Sequence, residues 1–265
     1  MATAGGVSLA CTDPAHAIAA VRERYPCGNG TASSTRAPRS SMDRVSLGAA
    51  AESLATRDPV IASLLAQVGP PHLPRPRGPH FEALVRAIVY QQLAGAAARA
   101  IYGRLVAALG GDVEPELLQA LSDEETRAVG LSRGKTASLR DLSAKVLDGT
   151  VTLSGRVLAH QSDDEVERRL RTVRGVGPWT AQVFMMFRLR RLDIWPTADL
   201  GVRRGYGLAW GVPTPSEREL QPLGEPYRPY RTVLTWCCWK AAELYAQTRV
   251  VDRDGTPIAS DMVGG

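Results

Sequence analysis

The sequence predicts an all-α protein of about ten helices, and three observations carry that prediction. Apolar residues recur at helical spacing almost without interruption from residue 58 to residue 247. No stretch sustains the apolar-polar alternation of a half-buried strand. The periodic segments are also punctuated as helices are, by Ser-x-x-Glu boxes and prolines at their starts and by glycines at their ends. At 265 residues, 44% hydrophobic and 22% charged, the chain has apolar material for one large domain or two small ones.

Residues 1–44 are rich in Ala, Gly, Ser, Thr and Arg and are expected to be a disordered N-terminal extension, with Met42 at its edge as an alternative start. A folded domain is expected over 45–250 and a tail over 251–265. The first short helix follows Asp58 and is ended by a stiff connector holding Pro70, Pro71, Pro74, Pro76 and Pro79. Phe81, Leu84, Val85, Ile88 and Val89 share one face of the next helix. An alanine-rich helix carrying Ile101, Tyr102, Leu105, Val106 and Leu109 stops at Gly110-Gly111. Another spans 115–121, Ser122 with Glu125 caps a short one ending at Gly130, and 135–147 is closed by Gly149. Ser162 with Glu165 opens a helix that runs toward Arg171. Helices over 180–189, 199–210 and 216–223 follow, then a long one over 229–247, where Pro229 suits the first turn.

Charge is unevenly placed. The net value is only +5, and the 32 basic residues include just three lysines, Lys135, Lys145 and Lys240. Residues 168–204 hold nine arginines against Asp193 and Asp199, a net +7 that leaves the rest of the chain slightly acidic. Nucleic-acid binders concentrate basic residues in this way, although a solvated arginine face does the same. No apolar run approaches the roughly 20 residues of a membrane helix, and no basic-then-apolar leader opens the chain, so neither a membrane nor a secreted protein is expected. Cys11, Cys27, Cys237 and Cys238 make neither a disulfide framework nor a metal-ligand spacing, and His16, His72, His80 and His160 are scattered.

Within the basic window, Leu170-Arg171-Thr172-Val173-Arg174-Gly175-Val176-Gly177-Pro178-Trp179-Thr180-Ala181 joins two helices through a Gly-x-Gly turn. The glycines let a ligand approach the main chain closely, and the N–H groups of the following helix start make an anion site flanked by Arg171 and Arg174. A bare Gly-x-Gly is more often a plain turn. Here the wider pattern resembles the helix-hairpin-helix DNA glycosylase superfamily, and within it the alkylbase branch, 3-methyladenine DNA glycosylase II. Pro196-Thr197-Ala198-Asp199-Leu200-Gly201-Val202-Arg203-Arg204-Gly205 is similar to the catalytic-aspartate loop of that superfamily. Ala87-Ile88-Val89-Tyr90-Gln91-Gln92, Gly130-Leu131-Ser132-Arg133-Gly134-Lys135 and Pro229-Tyr230-Arg231-Thr232-Val233 agree in order, so the likeness covers roughly residues 58–247.

The resemblance implies two helical subdomains with an active-site cleft between them, and a monomeric enzyme that flips a damaged base out of double-stranded DNA and hydrolyses its N-glycosidic bond. Asp199 is the expected catalytic carboxylate; a helix cap is its ordinary alternative role. Asp193 reads as surface. Trp179 stands where strand-cleaving relatives carry a Schiff-base lysine, so hydrolysis alone, leaving an abasic site, is implied. Trp179 and Trp239 are candidates for the base pocket, with a buried core role open for Trp239 and favoured for Trp236. Val183 occupies a pocket position that is aromatic in some members. Gln91 and Gln92, with Leu93 beside them, are candidates to fill the hole a flipped base leaves. Gly175, Val176, Gly177, Thr180, Arg171, Arg174 and Arg203 are the further expected DNA contacts. A monovalent cation, sodium or potassium, is implied at the carbonyls of Arg171, Val173 and Val176; no cofactor is required, and two adjacent cysteines cannot hold an iron-sulfur cluster. The alternatives are a non-catalytic DNA-binding module, or a glycosylase for uracil, mispaired thymine or oxidised purine. Any of these is expected where the chromosome is, in the nucleoid-bearing cytoplasm or the nucleus.

Overall fold

A computed structural model describes residues 45–245, together with the backbone of 250–251 and 257–258; the expected extension over 1–44, with Cys11 and Cys27, lies outside the described residues. Among the described residues there are thirteen α-helices: α1 (Leu47–Ala55), α2 (Pro59–Val68), α3 (His80–Tyr90), α4 (Gly95–Ala108), α5 (Pro115–Ala120), α6 (Asp123–Ala128), α7 (Arg133–Leu147), α8 (Gly155–His160), α9 (Asp163–Leu170), α10 (Pro178–Phe187), α11 (Leu200–Trp210), α12 (Glu217–Leu223) and α13 (Arg231–Tyr245). A single 3-10 turn, Glu225–Tyr227, precedes α13. A two-residue antiparallel ladder, Val250 opposite Ile258 and Val251 opposite Pro257, straddles the expected border between domain and tail.

Two helices have no counterpart in the sequence periodicity, for physical reasons. In α1 three consecutive alanines blur the contrast between faces, yet Ser46 caps it and Ala50, Ala51 and Leu54 are buried. The six residues of α8 carry neither the leading proline nor the Ser-x-x-Glu box that marks the equally short α5 and α6. Both expected Ser-x-x-Glu boxes form, and Ser216 with Glu219 makes a third. The last helix starts at Arg231; Pro229 follows a cis peptide and stands outside it. Pro178 occupies the first turn of α10, as Pro59 and Pro115 do in α2 and α5.

The helices pack as two subdomains. One combines α1 and α2 with α11 and α13, and the other is the contiguous run α3–α10. The α11–α13 contact is close, and a Cβ on Gly205 would stand 1.8 Å from the Cys238 carbonyl oxygen. The chain crosses out through the proline connector, residues 69–79, and back through residues 188–199. Arginines staple the two crossings together. Arg188, 7% exposed, donates to the carbonyls of Arg77 and Gly78 and to His80 Nδ1. Arg190 donates to Leu73 O at 2.7 Å and to Pro74 O at 3.2 Å. Arg191 reaches the carbonyls of Leu158 and Gln161. A connector rich in proline and turns leaves its carbonyls without helix partners, and guanidinium groups supply the missing donors. Asp193, expected at the surface, is instead half-buried and anchors the start of α13, accepting from Arg231 Nε at 2.7 Å and Arg228 Nη1 at 2.7 Å.

Candidate active site and nucleic-acid interface

The hairpin is the link between α9 and α10. Val173 and Val176 are buried beneath it, and the Val176 N–H donates to Val173 O at 3.0 Å, closing the turn. The two glycines differ in why they are there. Gly175 has φ +76°, and a Cβ on it would stand 2.5 Å from Ser138 Oγ. Gly177 has φ −85°, and a Cβ there would meet nothing within 4 Å. Among the described residues nothing requires glycine at 177, and the space around it is open. Among the described residues no side-chain hydrogen bond caps that helix, and its positive N-terminal end faces an anion's approach.

Three residues of α7 that were not singled out from the sequence brace this turn. Besides Ser138 against Gly175, Lys145 Nζ donates to Thr172 O and to Asp141 Oδ2, and Asp141 Oδ2 accepts the Arg174 backbone N–H at 2.7 Å. Burial opposes the Asp141 charge, but Lys145 and the Arg174 N–H outweigh it and hold the carboxyl below its ordinary range. The i,i+4 pair Asp141–Lys145 is visible in sequence; its target is not. Of the carbonyls implied for a monovalent cation, that of Val173 already accepts one hydrogen bond, and the intervening Thr172 carbonyl takes the lysine ammonium.

The remaining expected DNA contacts divide. Arg171 and Arg174 are exposed, with Arg171 reaching Glu167 at 3.4 Å. Arg203 is turned inward, donating to Pro215 O at 2.7 Å. Thr180 is buried, and its hydroxyl accepts from Gln91 Nε2 at 3.1 Å. Gln92 is exposed with φ +55°, one of two non-glycine residues in the left-handed region among the described residues. Leu93 is half-buried against the core.

Asp199 sits where the returning chain enters α11. It is that helix's N-cap, with Oδ1 accepting the Val202 N–H at 2.9 Å, so the capping role is real. The carboxylate is also 6% exposed and receives two indole N–H groups, Trp239 Nε1 on Oδ1 at 3.3 Å and Trp179 Nε1 on Oδ2 at 2.6 Å. Trp179 belongs to α10 and Trp239 to α13, so each subdomain contributes one donor. All three donors are neutral; they hold the anion in place without cancelling its charge, which leaves its field available to a cation formed nearby. The tryptophans thus hold the acid by their edges. Trp239 is buried and stacks on Phe187 at 6.0 Å, so it serves core and carboxylate together, while Trp179 is half-buried and keeps ring surface in reach of a ligand. Trp236 is buried, with Lys240 5.7 Å from its ring centre.

Val183 is 3% exposed within the core face of α10. The thiols of Cys237 and Cys238 are buried in α13, and burial pushes Cys237 up to about 12. Among the described residues no group of three or more His, Cys, Asp or Glu side chains is arranged to hold a metal ion, and no helix is long and apolar enough to cross a membrane.

Comparison with known proteins agrees with this geometry. Residues 85–229 match the family described as HhH-GPD superfamily base excision DNA repair protein. The chain is 31% identical to DNA-3-methyladenine glycosylase 1 of Schizosaccharomyces pombe over 174 residues, covering 64% of this chain and 76% of the relative. Among solved structures it is similar to the Schizosaccharomyces pombe 3-methyladenine DNA glycosylase in complex with abasic DNA, with TM-score 0.64, 29% identity and coverage of 73% of this chain and 96% of that one. It is also similar to a DNA-3-methyladenine glycosidase from Bacillus halodurans, with TM-score 0.69, 33% identity and coverage of 75% and 91%. A matched region spanning more than half the chain and containing both the hairpin and Asp199 places this protein in the HhH-GPD superfamily of base excision DNA repair proteins.

Proposed function

We propose that the protein is a monofunctional DNA glycosylase that removes alkylated bases of the 3-methyladenine type from double-stranded DNA. The observation that carries the reading is the buried Asp199 carboxylate, held by one indole from each subdomain beside the half-buried Trp179 ring. When the C1′–N bond breaks, its electron pair leaves with the base and positive charge develops on the deoxyribose. A fixed anion stabilises that charge, in the way preorganised groups lower barriers elsewhere. Water then adds at C1′, its proton passing to the carboxylate and on to solvent, and an abasic site remains. An electron-poor alkylated base stacks favourably on an indole, and a cationic one gains a further attraction.

Strand cleavage needs an amine, and the chain's lysines have other partners: Lys135 on the carbonyls of Val89 and Gln91, Lys145 on Asp141, Lys240 on Glu243. On this reading the exposed hairpin with Arg171 and Arg174 holds the phosphates, Gln92 fills the vacated stack, and a monovalent cation on the carbonyls of Arg171, Val173 and Val176 supports the phosphate grip. The protein acts as a monomer, needs no iron-sulfur cluster, and works where the chromosome lies.

The test is incubation with methylated duplex DNA and with oligonucleotides carrying single defined lesions, followed by measurement of released base and alkali-labile sites. Release of alkylated purines, with strand breaks only after alkali, is expected. Release confined to uracil or an oxidised purine would move the substrate class, breaks without alkali would overturn the monofunctional assignment, and no release from any duplex would leave only DNA binding.

A further inference from the structure

We infer that Gln91 is a positioning residue that ties the phosphate hairpin to the turn carrying Gln92, so that gripping the backbone and filling the duplex hole become one rigid operation. Gln91 closes α3, and both hydrogens of its amide nitrogen are committed, to Gly175 O at 3.0 Å and to Thr180 Oγ1 at 3.1 Å. It therefore does not reach into DNA as an intercalating side chain without giving up both bonds. Its backbone is held by α7. Lys135 Nζ donates to Val89 O at 2.6 Å and to Gln91 O at 2.8 Å, satisfying carbonyls that the end of α3 leaves without helix partners.

The residue held in this vice is Gln92, exposed and left-handed at φ +55°. A glutamine keeps that backbone only where its surroundings over-determine it. Here the surroundings are α7 through Lys135, and the hairpin with the first turn of α10 through the Gln91 side chain. Gly175 O belongs to the turn that presents Gly177, so a hairpin seated on a phosphate fixes where Gln92 points.

The inference rests on the proposed base-flipping activity, and its test separates the two. Single-turnover base release, and the fluorescence of a 2-aminopurine beside the lesion, are followed for Gln91→Met, Gln92→Ala and the double variant, with affinity for undamaged duplex measured on each. Gln91→Met keeps the length of the side chain and removes both donors. Flipping and release are expected to slow about tenfold, within what a small misplacement costs, while affinity for undamaged duplex stays within about twofold. The double variant is expected to be no slower than the slower single one, because one residue acts through the other. Thr180→Val removes one acceptor at constant volume and should give a smaller loss in the same direction; it carries the test if Gln91→Met does not fold. Additive losses, or a fall in undamaged-duplex affinity that matches the fall in rate, overturn the coupling. A Gln91→Met protein as fast as the unaltered one overturns this inference alone, whereas an unaltered protein that releases no base overturns the functional reading and the inference with it.

Discussion

The hairpin and the returning crossing share one basic window, and they use the same side chain in opposite ways. At the hairpin Arg171 and Arg174 point outward, and the helix start behind Gly177 is left without a side-chain cap. At the crossing Arg188, Arg190 and Arg191 point inward and close on backbone carbonyls of the proline connector and the α8–α9 turn. A charge count reads both as a site for phosphates. At the crossing the positive charge goes to backbone carbonyls within the protein, and the chain held in this way leads to Asp199, where an indole from each subdomain meets the carboxylate. One region touches the outside; the other sets the geometry behind it.

The division can be broken by mutation. The largest effect belongs to the crossing's own chemistry. Asp199→Asn removes the charge and turns an amide N–H toward an indole N–H, so base release is expected to fall about 100- to 1,000-fold, while affinity for undamaged duplex, measured by anisotropy, changes little. Next comes the staple: Arg188→Met leaves the carbonyls of Arg77 and Gly78 without their donor and should lower unfolding free energy by about 3 kcal/mol in a denaturant titration. Its DNA binding should keep the same salt slope. If the slope drops, the crossing contacts phosphate after all, and the contrast fails.

Gly177→Val probes the outward region. Its side chain enters open space, so the melting temperature should not move, whereas affinity for duplex should fall about tenfold, or 1.4 kcal/mol. Unaltered affinity would remove the phosphate role from the hairpin. The smallest effect is a pH dependence at the crossing. Burial, then the nearby Arg188, lower the pKa of His80, whose neutral Nδ1 accepts the Arg188 Nε–H at 2.9 Å. A depressed folded-state pKa contributes stability above the ordinary histidine value of about 6.5 and loses it as pH falls through the folded value. The melting temperature should therefore decline below pH of about 6.5 more in the unaltered protein than in His80→Gln, where the acceptor does not titrate.

Much of the fold was legible because its signals are local. Phe81 to Val89 on one face, the boxes at Ser122 and Ser162, and the glycine stops each lie within one or two turns of what they cap. Asp199 was legible as a helix start and, through the motif around it, as the expected acid. What brings the site together is not local. The indoles on Asp199 come from 20 residues before it and 40 after it, and Gln91 meets Gly175 across 84 residues. No periodicity encodes an edge-on indole, so Trp179 and Trp239 read as walls of a pocket when their N–H groups point at the acid. The inward turn of Arg203 and the anchoring role of Asp193 were hidden in the same way, since exposure is decided by partners elsewhere in the chain.

The two subdomains also differ in when they can exist. The run α3–α10 is contiguous, so every helix it packs has been made before α11 begins. The other subdomain sandwiches α1 and α2 against α11 and α13, and its earliest helices must wait for nearly two hundred residues of further synthesis before their apolar faces are covered. During translation the order of completion is thus inside out. The inserted half, with the hairpin, has all its helices first, and the half built on α1 and α2 is completed last, when α13 brings Trp239 to the carboxylate.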